Sequence, residues 1–266
     1  MTALLVVVLA AAGVAVFCWL ASLVTKDTSW VDRVWSIVPV GYVWVFAGFG
    51  GFADVRLNVM AVLVTLWGAR LTVNFARKGG YTGVEDYRWA ILRARMSPAA
   101  FQVFNLLFIV IFQNLLLVLV TLPALTALEN PRPFGIVDGI LTVAFLAFLL
   151  GETIADEQQW RFHEARKAAE ESGDASHPRF RTTGLFGVSR HPNFFFEQAQ
   201  WWTIGLFGVV AAGSIPWTVA GALLLSVLFV GSTIFTESIT RSKYPEYAEY
   251  QARVSPIVPW FPRATG

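Results

Sequence analysis

Charge is what this chain has least of. Asp, Glu, Lys and Arg make up 14% of its 266 residues, where a soluble domain carries about 25%. That scarcity excludes an ordinary water-exposed surface. Cysteine is almost absent as well. The single Cys18 excludes an internal disulfide and any Cys-rich metal site, and its apolar surroundings read as those of a buried, inert thiol. There are three histidines, His163, His177 and His191, and they lack ligand spacing with one another, so no metal is expected. The net charge of +2 comes without a basic patch interleaved with aromatics, which argues against nucleic acid as a partner. There is no Walker loop, no Gly-x-Gly-x-x-Gly turn and no Ser-His-Asp arrangement. The N-terminus lacks a basic region, and its apolar run passes Leu20. That run is too long for a signal-peptide core and long enough to span a bilayer.

What the chain does have is apolar surface. Hydrophobic residues make up 56% of it, including 22 Phe and 11 Trp. A helix needs about 20 apolar residues to cross the hydrocarbon core, and it pairs its own backbone groups while doing so. Seven spans are expected: Thr2–Val24, Val34–Phe52, Leu57–Ala76, Phe101–Leu122, Phe134–Ile154, Phe194–Ala212 and Trp217–Phe235. A tight turn at Gly213, Ser214, Ile215 and Pro216 joins the last two. With no linker or repeat in sight, residues 1–266 read as one all-α, polytopic membrane helical bundle. With the N-terminus outside, seventeen Lys and Arg fall in cytoplasmic segments and only Arg56 and Arg132 in outer loops. The positive-inside bias therefore puts the C-terminus in the cytoplasm.

Ionisable groups inside a membrane are costly and mark cavities or partners. Arg70, Asn74 and Arg77 share one face of the third span, and Glu152 and Asp156 share one face of the fifth. Structural pairing of Arg with carboxylate is the plain alternative for all of them. Gln102, Asn105, Gln113 and Asn114 in the fourth span are expected to hydrogen-bond between helices. The loop Arg77-Lys78-Gly79-Gly80-Tyr81-Thr82-Gly83 could approach a phosphate or simply face lipid headgroups. The densest polar segment is Ser189-Arg190-His191-Pro192-Asn193-Phe194-Phe195-Phe196-Glu197. Here Pro192 is suited to a helix start, and Asn193 and Glu197 lie one turn apart. Tyr244, Tyr247 and Tyr250 recur every three residues, and with Trp260 they read equally well as an interfacial aromatic belt.

The Ser189–Glu197 segment resembles the Ser-Arg-His-Pro-Asn-Tyr-Phe-Gly-Glu signature of the membrane steroid 5α-reductase-like superfamily. The tail from Tyr244 to Phe261 resembles its second signature. Trp67-Gly68-Ala69-Arg70-Leu71 and Glu85-Asp86-Tyr87-Arg88 resemble motifs of its bacterial branch, known by the domain-of-unknown-function label 1295. The resemblance runs from about Asp27 to Pro262. It implies NADPH in the cytoplasmic half of a seven-helix fold, and hydride transfer to the C=C bond of a lipid-like or steroid-like enone. It also implies a bacterial cytoplasmic membrane as the location, with the cofactor site facing the cytoplasm. By position, it gives cofactor roles to Arg70, Asn74, Asp86, Tyr87, Arg88, Asp156, Arg181, Arg190, His191, Asn193, Glu197, Trp201, Tyr250 and Arg253. Trp67 stands where the third helix of steroid reductases supplies a tyrosine, and Phe196 stands where the signature has glycine. Asp32 is the carboxyl candidate for polarising a substrate carbonyl, with Glu197 as the second catalytic candidate. Asp32 could equally pair with Arg33 or Arg70.

A lipophilic small molecule and membrane lipid are the expected partners, and the chain is read as a monomer. Arg-His-Pro also occurs in membrane methyltransferases of the isoprenylcysteine carboxyl methyltransferase type, which use S-adenosylmethionine; this is the alternative enzyme reading. A lipid-binding scaffold without enzymatic activity is the third.

Overall fold

The computed structural model describes residues 1–174 and 176–263, and among them it is helical throughout, with no strand. In chain order the helices are α1 Ala3–Thr25, α2 Trp30–Trp35, α3 Val38–Phe49, α4 Val55–Arg77 and α5 Tyr87–Arg95. Next come α6 Pro98–Phe104, a π-helical stretch Asn105–Phe112, α7 Gln113–Leu119 and α8 Leu122–Glu129. The last four are α9 Ile136–Ser172, α10 Pro192–Ala212, α11 Ala220–Lys243 and α12 Tyr247–Arg253. Several starts are capped by side chains that satisfy an otherwise orphaned N–H. Thr2 accepts from the Leu5 amide, Asp54 from Leu57, Asp86 from Arg88 and Ser97 from Ala100.

Among the described residues, five helical segments are long and apolar enough to cross a membrane: Ala3–Thr25, Val55–Arg77, Pro98–Glu129, Ile136–Ser172 and Trp217–Lys243. They correspond to the expected spans one, three, four, five and seven. The other two differ for identifiable reasons. The expected second span is broken at Ser36 into the short α2 and the 12-residue α3. The expected sixth is the 21-residue α10, whose apolar content is diluted by Asn193, Glu197, Gln198 and Gln200. The fifth also runs on as one helix to Ser172, well past Ile154. Charge ended its apolar run, but the Ala, Glu, Gln and Arg that follow are strong helix formers.

The chain divides into two compact units. The first comprises Met1–Ala144 and Trp201–Leu225, and the second Phe145–Gln200 and the chain from Ser226 onward. In the first unit the core is apolar and aromatic. Fully buried Cys18 packs with Val31, Trp89, Ile109 and Val110. Trp67 meets Trp201 edge-on at 4.8 Å between ring centroids. Arg56, expected in an outer loop, is instead buried in the first turn of α4. Its guanidinium grips Asp138 through two bonds, of 2.6 and 2.9 Å, and Asp138 also accepts from the Gly135 amide at 2.8 Å. A fork-on-carboxylate pair of this kind neutralises two charges that could not stand alone there. Asn105 donates to Ser22 of α1 at 3.1 Å, the interhelical bond expected of it. Asn114 instead donates within its own segment, to the Val110 carbonyl at 2.8 Å. The turn after α10 has Gly213 at φ +72°, a conformation that glycine adopts without penalty.

Close helix contact in the first unit depends on glycine at two places. A Cβ on Gly68 would strike the Ser36 carbonyl, and one on Gly221 would strike the Leu119 and Val120 backbone. Backbone cannot yield as a flexible side chain does, so Gly221→Ala is expected to cost about 1–3 kcal/mol. Gly231 sits in the same helix with nothing near its missing Cβ. Gly231→Ala should leave stability unchanged or raise it by up to about 1 kcal/mol. Thermal unfolding of the two variants in detergent checks the contrast, and equal midpoints would refute the contact.

Candidate functional site

Many of the residues singled out by sequence fall into two clusters, one in each unit. In the first unit, the segment before α2 is laced to the segment before α5. Thr28 donates to Glu85 through both its amide (2.9 Å) and its hydroxyl (2.8 Å). Arg93 closes on the same carboxylate with bonds of 2.6 and 3.1 Å. The Asp86 amide donates to the Ser29 hydroxyl at 3.2 Å, and the Asp86 carboxylate holds the Arg88 guanidinium at 2.6 Å. Arg33 turns to Asp27 at 2.5 Å and to the Gly80 carbonyl at 3.1 Å. The glycine loop therefore serves here as an acceptor that fixes an arginine.

Asp32 lies within this network but is not paired with Arg33. Its carboxylate accepts from the Trp89 indole at 3.1 Å. Burial, joined by the neighbouring Asp86 carboxylate, pushes its pKa up to about 6 against the lowering pull of Trp89, Arg88 and Ser29. Asp32 thus keeps its proton well above the ordinary carboxylate range. The structure brings together Asp32, Asp86 and Arg88. Tyr87, next to them in sequence, is exposed. On α4, Asn74 is buried and its side-chain oxygen accepts from Arg77 at 3.0 Å, as their shared face implies; Arg70, one turn earlier, is half-buried.

In the second unit everything turns on Glu237 of α11. Arg190 grips it with bonds of 2.6 and 3.0 Å, and the same guanidinium donates to the Gln251 and Val254 carbonyls. His191 is 3.1 Å from Glu237. Gln251 donates to it at 2.8 Å and the Tyr247 hydroxyl at 3.4 Å. The Arg190-His191 corner is thereby fixed just before Pro192 begins α10. The loop ahead of it is anchored too. Arg181 donates to the carbonyls of Gln158 (3.0 Å) and Thr183 (3.1 Å), and Gln158 in turn accepts from the Leu185 amide at 3.0 Å. Tyr247 and Tyr250 are buried against the ring of Phe180 at 4.9 and 5.7 Å, which replaces the belt reading for these two. Burial raises both tyrosine pKa values, so both stay neutral hydroxyls.

On α10, Glu197 is buried and Asn193 half-buried one turn before it. Gln200, one turn further, donates to the buried Glu152 at 2.7 Å; Asp156, a turn beyond Glu152 on α9, is also buried. Phe196 departs from the expected glycine, and the structure accommodates it. Its ring lies where a Cβ on Gly151 would be, so glycine has moved to the facing helix. Arg253 is exposed.

Two features were missed at the level of sequence. Glu237 lies two residues past the expected end of the seventh span, and its signal was an acid just beyond an apolar run with an Arg-His pair elsewhere to neutralise. The other is Tyr42, the only tyrosine within an expected span. It is buried, and its hydroxyl has no hydrogen-bond partner among the described residues; the same holds for the indole N–H of Trp67 and the side-chain oxygen of Asn114. Buried polar atoms of this kind are rare in native interiors.

Comparison with known proteins supports the DUF1295 part of the resemblance and does not reach the steroid 5α-reductase-like superfamily. A family model described as "Protein of unknown function (DUF1295)" matches residues 18–254. A curated protein of Schizosaccharomyces pombe, described as uncharacterized protein C594.04c, is 41% identical, over 93% of this chain and 76% of its own. That relative is eukaryotic and lends no support to a bacterial placement. No solved structure matches the chain. With the model spanning residues 18–254, from the end of α1 through α12, the chain belongs to the DUF1295 family.

Proposed function

We propose that this protein is an NADPH-dependent membrane reductase that delivers hydride to the activated C=C bond of a lipid-like or steroid-like enone. The observation that carries this reading is the locked Ser189–Glu197 segment of the second unit. Its charged corner is neutralised internally by Glu237, while Asn193 and the buried Glu197 follow on successive turns of α10.

The residues present fit a polyanionic dinucleotide. Among the described residues, Arg181 is bonded to carbonyl oxygens only, and Arg253 is exposed with no carboxylate paired to it. Both keep an uncompensated positive charge for phosphate. Arg190 has a different task, because its guanidinium is already committed to Glu237 and to backbone carbonyls. It positions the start of α10. Asn193 and Glu197 can hydrogen-bond a carboxamide and so orient the ring that carries it. Bound NADPH would supply the hydride. Asp32, in the first unit, has its pKa raised to about 6, and while protonated such an acid can donate a hydrogen bond to an oxygen gaining charge. S-adenosylmethionine carries no phosphate and would leave Arg181 and Arg253 without counterparts. The expected seven-span topology with a cytoplasmic C-terminus belongs to the same reading, and it rests on the bias of positive charge.

Two measurements test it. In detergent, saturating NADPH is expected to raise the melting temperature by several degrees and NADH by less, because binding the folded state alone stabilises it by mass action. Asn193→Ala and Arg253→Ala should reduce that shift while sparing the unliganded curve. Arg190→Ala should lower the unliganded curve as well. A curve unmoved by NADPH but raised by S-adenosylmethionine would overturn the reading.

The second measurement concerns Asp32. Its folded pKa, about 6, lies above its ordinary value of 3.8. Its contribution to stability is therefore fully present below about pH 4 and is lost as pH rises through about 6. Asp32→Asn should remove this slope. Relative to wild type, the variant is expected to gain stability between about pH 4 and pH 7, read from melting curves across that range. Parallel profiles would show that Asp32 carries no raised pKa.

A further inference from the structure

After α12 the chain turns back through a bent strap, residues 255–261, whose backbone is tied to the Arg190 corner. The Arg190 amide donates to the Ser255 carbonyl at 2.8 Å and the His191 amide to Pro256 at 3.0 Å. The Trp260 amide donates to Val188 at 2.9 Å, and the buried Ser189 hydroxyl reaches the Ile257 carbonyl at 2.6 Å. Exposure alternates along the strap. Ser255, Ile257 and Pro259 are half-buried, whereas Pro256, Val258 and Trp260 are exposed. Phe261 breaks the alternation and is exposed next to Trp260. Val258 is 59% exposed, Trp260 70% and Phe261 85%. Four anchoring bonds hold these apolar side chains outward, so their exposure is built into the strap.

The ground around this face is basic. The Arg263 amide donates to the Arg253 carbonyl at 2.9 Å, which sets two exposed arginines beside the aromatic end. Arg241 and Lys243, exposed in the last turn of α11, add two more cations. Glu246 and Glu249 are the exposed acids nearby, so positive charge prevails. An apolar and aromatic face beside an excess of cations suits the boundary of an anionic lipid surface, where Trp favours the headgroup level and basic residues are drawn to the surface charge. The segment before α12, Trp217–Lys243, is itself apolar enough to span, which keeps the strap tethered to that membrane.

We propose that the Pro256–Phe261 strap is an interfacial foot, inserted among the headgroups of the membrane its own helices cross and drawn there by anionic phospholipid. Because the inner side of the strap holds residues 188–191, lipid contact and the geometry of the Arg190 corner are linked through one short segment. Cys18 is fully buried, so a new cysteine can be labelled selectively in the full chain. Val258→Cys and Phe261→Cys, each carrying an environment-sensitive fluorophore, go into nanodiscs of phosphatidylcholine with or without phosphatidylglycerol. Ser176→Cys, at an exposed position, is the aqueous control. Nitroxide lipids labelled near the headgroup are expected to quench positions 258 and 261 several-fold more than position 176. Phosphatidylglycerol should increase the effect, and aqueous iodide should quench both positions less than the control. Strong iodide quenching without nitroxide quenching would place the strap in water and overturn the proposal. Protection from both quenchers would overturn it in favour of a protein cover, such as a second copy of the chain.

Discussion

The carboxylate of Glu237 is the hub on which the second unit depends. A buried anion at the end of a membrane helix is tolerable only if its charge is cancelled and its lone pairs are filled. Here Arg190, His191, Gln251 and Tyr247 do both. Those four side chains come from the loop before α10 and from α12, so satisfying one carboxylate also draws separate stretches of chain together. The motif that stands out in the sequence as a ligand-binding signature is therefore first a structural knot. Its chemistry is passed to the residues it orients.

The first unit follows the same rule with different parts. Arg56 and Asp138 cancel each other inside it, and Glu85 gathers Thr28 and Arg93. Asp32 is the exception, held by an indole and set against another carboxylate. A network that neutralises most of its charges fully and leaves one acid poorly compensated marks that acid as a chemical candidate.

The helices were legible because hydropathy reports directly on lipid contact. α1, α4 and the turn at Gly213 fall within a residue or two of their expected places. Where polar residues interrupt the pattern, legibility failed. Ser36 divides an expected span, and α9 continues through Glu, Gln and Arg without an apolar signal. The Arg190 corner was visible as a cluster of chemical types, but its partner was not. Glu237 lies 47 residues further along the chain, and one sequence carries no record of which distant carboxylate meets which guanidinium. The exchange of glycine between the Phe196 position and Gly151 was hidden for the same reason, since volume is balanced in space and not along the chain.

The 37 residues of α9 give a rod of about 55 Å at the usual rise per residue. A hydrocarbon core is about 30 Å thick, so close to half of the rod stands clear of it. Its stretch toward Ser172 carries Glu, Gln, Arg and Lys, a composition suited to water, while its start is suited to lipid. The edge of the hydrocarbon therefore falls partway along one unbroken helix, and no turn or loop is needed to carry the chain from one medium into the other.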